Sequence, residues 1–224
     1  MNYEYGSKVT EAENRYNSSF HKLLRMFTIS ILVSFVGTWV GIEYVPPALV
    51  LPLVVVELIM LVSAFFLRRS RNRSIGYGFV YAFCFISGIT IFPSIQYYAN
   101  VGGSSLITSA FLLTGGIFAA LTLYAYNSKR DFSWLGGMLM VGLLTLIGFS
   151  IIGLFTGGFG GVLGLAIAGL GVLVFSGFIL YDISQYKHGL AEEDIPLAVL
   201  SLYLNFINLF LYVLRLLGIL SSDD

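Results

Sequence analysis

Ser201, Asn205, Asn208, Tyr212 and Arg215 follow one another at steps of four, three, four and three residues inside the otherwise apolar segment Ile195 to Leu220. At 3.6 residues per turn, that spacing puts all five on one face of a helix. Hydrocarbon offers such side chains no water, so the stripe must face protein or a wet cavity. It can hydrogen-bond and steer an ion, and it makes this last segment a candidate wall of a pathway. Glu57 adds a carboxylate near the middle of another apolar segment, where a charge costs at least about 2.5 kcal/mol unless it is paired or wet. Its expected partner is Arg215, either as an ion pair that fixes packing or as a gating contact. Asp182 ends a third apolar segment at a depth expected to match Asn205 and Arg68. A carboxylate between an amide and a guanidinium is either a small polar gate or a solvated helix-end aspartate. Glu57 and Asp182 are the candidate contacts for a divalent cation such as Ca²⁺.

Other chemistries find little support. His21 and His188 are isolated and far apart, which disfavours a metal site. Glu192, Glu193 and Asp194 lack the pattern of a twelve-residue calcium loop and read as a solvated cluster. The glycine-rich run GLFTGGFGGVLGLAIAGLG is apolar, and no Lys-Ser/Thr follows it, so it is no phosphate loop. Its glycines four apart read instead as close helix packing. No nucleophile–base pair, P-loop or zinc motif appears, and the chain is expected to be neither an enzyme nor a cofactor binder. No nucleic-acid partner is expected.

The elements that must position these residues are membrane helices. Hydrophobic residues make up 57% of the chain and charged ones 11%, a balance that a soluble domain does not have. Runs of about twenty apolar residues suffice to cross roughly 30 Å of hydrocarbon. They are read as Leu23–Gly41, Ala48–Leu67, Ile75–Tyr98, Ser105–Tyr126, Trp134–Phe155, Val162–Asp182 and Pro196–Leu220. The expectation is an all-α, seven-helix membrane bundle over residues 23–220, its polar-striped last helix enclosed by the other six. Residues 1–22 form a cytoplasmic N-terminal segment without signal-peptide features, and 221–224 form a C-terminal tail. Pro93 should kink the third segment. The single cysteine, Cys84, allows no internal disulfide.

Basic residues set the orientation. Eleven of the twelve Lys and Arg flank the ends that share one side if there are seven spans, and the opposite loops Glu43–Pro47, Ala99–Ser104 and Thr156–Gly161 hold none. The positive-inside rule then puts the N-terminus in the cytoplasm and the C-terminus outside.

The segments ALVLPLVVVELIMLVSAFFLRR, GYGFVYAFCFISGITIFP, LYDISQYKH and LSLYLNFINLF together resemble the Bax inhibitor-1 family, also called the transmembrane Bax inhibitor motif family, in particular its bacterial members. The resemblance covers nearly everything after about residue 23. It implies seven helices with the last enclosed, and a pH-sensitive calcium leak in the bacterial plasma membrane. It also implies a proton-sensing pair of aspartates with which an arginine competes. Carried over, the first aspartate is Asp182 and the arginine is Arg68, while Asn205 stands where the second aspartate would be. Glu57 and Arg215 match positions of an outer latch. Two neighbouring carboxylates share a proton, whereas an amide donates permanently to an ionised Asp182. The implied pH gate is therefore altered here. The competing reading is a non-conducting regulatory protein that restrains another membrane protein, such as a membrane protease.

Overall fold

In lipid every backbone N–H and C=O must be satisfied within the segment or by a neighbour, which leaves long apolar runs the helix. The computed structural model of the chain describes the backbone of residues 2–69 and 75–222, and the side chains of residues 18–64, 66 and 75–221. Among these the structure is all-helical. It comprises α1 (Asn2–Tyr44), a short 3-10 turn (Pro47–Leu49), α2 (Val50–Arg69), α3 (Tyr77–Asn127), α4 (Leu135–Thr156), α5 (Gly161–Tyr186) and α6 (Ile195–Ser222). Among the described residues, six helices are long and apolar enough to cross a membrane.

Three differences from the expected segments have physical causes. First, α1 reaches back to Asn2, so the polar N-terminal segment continues the first helix. Extending an existing helix adds a hydrogen bond per residue without a new nucleation cost. Second, the third and fourth segments meet without a loop of several residues: α3 is two helices joined at one sharp break, inside the expected stretch Ala99–Ser104. A straight helix of its 51 residues would measure about 77 Å, more than twice the hydrocarbon thickness. Gly103 interrupts it with φ 73° and ψ −175°, a conformation that L side chains avoid. The Ser105 hydroxyl donates to the Gly102 carbonyl at 3.1 Å beside the break. Pro93, where a kink was expected, lies within helical dihedrals. Gly103→Ala should lower stability by about 1–3 kcal/mol, read as a lower midpoint of thermal unfolding in detergent. An unchanged midpoint would mean the break needs no glycine.

Third, the first part of the glycine run makes a turn between α4 and α5, while Gly164 and Gly171 within α5 are closely packed as expected. Gly157, Gly158 and Gly161 have positive φ, and open space surrounds the Cβ position of each. The Gly158 N–H closes the end of α4 on the Gly153 carbonyl at 2.8 Å, a glycine-dependent helix stop.

The chain divides into two units. Unit one comprises residues 1–93 and 185–203. Within it α1 and the start of α3 pack backbone to backbone: a Cβ on Gly88 would overlap the Ser34 carbonyl, and one on Gly37 the Phe85 carbonyl. Thr38 Oγ1 lies 3.0 Å from the Gly88 carbonyl across this seam and 3.1 Å from the Ser34 carbonyl of its own helix, and its one proton serves one of them at a time. Small residues permit such an approach where dispersion and interhelical hydrogen bonds must hold helices together. On α2, Leu51, Val55, Leu58, Ile59, Val62 and Phe66 are exposed, as lipid-facing side chains would be.

Unit two comprises residues 94–184 and 204–224. Phe132, Leu135 and Leu139 form an apolar cluster with Phe178 and Tyr181, which joins α4 to α5. Phe111 and Phe118 meet Phe206 edge-on at 6.1 and 5.6 Å between ring centroids, joining the later part of α3 to α6. Offset and edge-on aromatic pairs add attraction beyond area burial.

Candidate functional site

Asp182 lies near the C-terminal end of α5, flanked by the fully buried Ile179 and Ile183, and Asn205 lies on α6. Asn205 Nδ2 donates to Asp182 Oδ2 at 2.9 Å, and each residue is only 6% exposed. A carboxylate this deep needs donors, and an amide supplies one at any pH. Unit two therefore brings together two of the three residues expected at one depth. The third, Arg68, is in the last turn of α2, with its side chain outside the described residues.

None of the five stripe residues on α6 is exposed: Asn205 is buried, and Ser201, Asn208, Tyr212 and Arg215 are half-buried. Their partners differ. Asn208 Nδ2 turns back to the Leu204 carbonyl of its own helix at 2.8 Å. Tyr212 stacks on Phe175 at 5.7 Å and lies against Gly171, where a Cβ would collide with its ring. Arg215 donates to the Phe159 carbonyl in the α4–α5 turn at 2.9 Å.

Glu57 belongs to unit one, and there its Oε2 accepts from Thr90 Oγ1 at 2.7 Å. The same hydroxyl lies 3.0 Å from the Ser87 carbonyl, and its one proton serves one acceptor at a time. Glu57 and Arg215 belong to different units, and within its own unit each has a partner, a hydroxyl for the acid and a main-chain carbonyl for the base. Either contact satisfies its group locally, without a second charge. An ion pair does join Lys22 to Glu192, so one of the acidic loop residues is partnered rather than merely solvated.

Hydrophobicity patterns passed over a second polar line in unit one. Ser30, Ser34 and Thr38 lie at steps of four on α1, all buried, with Ser87 buried on α3. Ser34 Oγ shares a hydrogen bond with Tyr203 Oη at 2.8 Å, and Tyr203 is fully buried with Phe83 edge-on to its ring. The readable signal was that four-residue step in TISILVSFVGTWVG, since hydroxyls at one helix face in lipid seek partners on a neighbour. Among the described residues no three His, Cys, Asp or Glu side chains converge as a metal site.

The family model described as inhibitor of apoptosis-promoting Bax1 matches residues 16–222. An uncharacterized membrane protein of Vibrio cholerae is 33% identical over 94% of this chain and 92% of its own length. Bax inhibitor 1 of Schizosaccharomyces pombe is 38% identical over 66% of this chain and 54% of its own. A Golgi anti-apoptotic protein of vaccinia virus is 43% identical over 51% of this chain and 47% of its own, so the yeast and viral matches span about half of those proteins. With the family match running through all six long helices, the chain belongs to the Bax inhibitor-1 family of multi-pass membrane proteins.

Proposed function

We propose that the protein is a passive leak for Ca²⁺ or related cations across a bacterial plasma membrane, with Asp182, Asn205 and Arg68 as the gate at the cytoplasmic end. Family membership and the buried 2.9 Å bond between Asn205 and Asp182 carry this reading. A carboxylate costs so much in lipid that its retention favours an ion pathway. In this reading α3 spans twice about Gly103, which makes seven crossings. The last helix then forms the pathway wall, supported by the burial of 67% of its apolar span against 6% for α2. The charge split of the loops supports a cytoplasmic N-terminus. Glu57 and the stripe residues Ser201, Asn208, Tyr212 and Arg215 line or latch the route, and Glu57 and Asp182 offer the oxygen ligands that Ca²⁺ prefers. No catalytic chemistry or cofactor enters this mechanism.

The test is Ca²⁺ entry into liposomes that contain this protein alone. Glu57→Gln keeps the shape and the Thr90 contact but removes the charge, so flux should fall or lose its selectivity while the helical content stays. Unchanged flux and selectivity would reduce Glu57 to a packing residue. The names of the yeast and viral relatives, an inhibitor and an anti-apoptotic protein, favour as second reading a non-conducting regulator of another membrane protein. No Ca²⁺ entry at any pH would decide for that reading.

A further inference from the structure

Where α4 ends, α5 begins and α6 makes its last turns, unit two holds a half-open cavity of about 550 Å³. Its walls include Tyr97, Tyr98, Phe159, Arg215, Gly218 and the Gly157–Gly161 turn, and among the described residues its lining holds one full positive charge and no carboxylate. The guanidinium has five N–H donors, and the bond to the Phe159 carbonyl uses one of them. A half-buried guanidinium with N–H donors to spare can take an anionic ligand, and its planar fork suits phosphoryl oxygens.

The surroundings are built to hold that cation in place. Phe159, whose carbonyl engages Arg215, is anchored edge-on against Phe149 at 5.9 Å. Gly218 lets the Tyr98 ring lie on α6, since a Cβ there would overlap it, and Tyr97 meets Tyr98 edge-on at 5.0 Å. Both tyrosines carry hydroxyl donors. The 26-residue helix α5 starts at Gly161 on the same rim, and its positive dipole end adds to the attraction for an anion. Tyrosine and arginine at helix ends also suit headgroup depth. We propose that this cavity binds a phosphoryl group, carried either by a membrane phospholipid or by free phosphate. The proposal is independent of whether the protein conducts ions.

Thermal unfolding of the purified protein in a neutral detergent tests it, with three probes titrated separately: dioctanoyl-phosphatidylglycerol, dioctanoylglycerol and inorganic phosphate. The phosphatidylglycerol should raise the unfolding midpoint saturably, and dioctanoylglycerol, with the same tails and no phosphate, should not. Arg215→Gln should weaken that binding at least about tenfold, with Arg215→Lys in between because it keeps charge and loses the fork. If inorganic phosphate alone reproduces an Arg215-dependent shift, the site takes free phosphate; if only the phospholipid does, it takes a headgroup, and either result supports the proposal. Equal responses to both lipids, or equal affinity in the parent and the variants, would overturn it. Should the Gln variant fail to fold, the Lys variant decides alone.

Discussion

Gly88→Ala should cost the folded protein about 3 kcal/mol or more, whereas Gly148→Ala should be neutral or stabilise it by up to about 1 kcal/mol. At Gly88 the added methyl would overlap the Ser34 carbonyl and press on the Thr38 amide at 3.0 Å, both backbone atoms of α1. A side chain could rotate away, but a helix backbone must move as a whole. Any separation stretches the Thr38 contact with the Gly88 carbonyl and disturbs Ser34, which holds Tyr203 at 2.8 Å. Gly148 has nothing within 4 Å of its Cβ position, so there the substitution only improves helix propensity. Yield of monodisperse protein and the thermal midpoint of both variants give the comparison. A Gly88 variant as stable as the Gly148 variant would show that the α1–α3 seam is not close-packed in the membrane.

That seam illustrates what could be read from composition and what could not. Hydrophobic runs report where a chain can live in lipid, so the all-helical class and the family were legible from residue order. The stripe on α6 was legible too, because helical spacing alone decides which residues share a face. The partner of a polar residue depends on helix rotation and axial shift, which no local pattern encodes. The contacts of Arg215 with a carbonyl of the α4–α5 turn and of Glu57 with Thr90 were accordingly not legible. Only some glycines of the run pack closely, Gly164 and Gly171 among them. Spacing by four is shared by packing seams and by turns that happen to contain several glycines, and only the dihedrals of Gly157, Gly158 and Gly161 separate the two. The break in α3 falls at Gly103, within the stretch where composition suggests a loop, but hydropathy alone does not reveal that one glycine suffices to make it.

Asn205→Asp should introduce a step in Ca²⁺ flux between about pH 6 and 8 that the parent lacks. In the parent, Asn205 Nδ2 donates to Asp182 Oδ2 at 2.9 Å, and an amide does not titrate, so the contact persists across that range. In the variant both groups are acceptors when ionised, and the contact survives only while one proton bridges them. Two full charges about 4 Å apart repel by roughly 4 kcal/mol at an effective dielectric near 20, and burial at 6% exposure leaves little water to relieve it. A difference of that size can move a two-state gate by about three orders of magnitude, so a flux change of at least tenfold across the window is the expected signal. Liposomes with matched protein content, measured at closely spaced pH values, provide the readout. In the same assay Asp182→Asn should flatten the variant's profile, because the repelling partner is gone. A variant as flat as the parent would remove Asp182 and Asn205 from the gate. So would a parent with a steep profile that Asp182→Asn leaves unchanged, since the titrating group would then lie elsewhere.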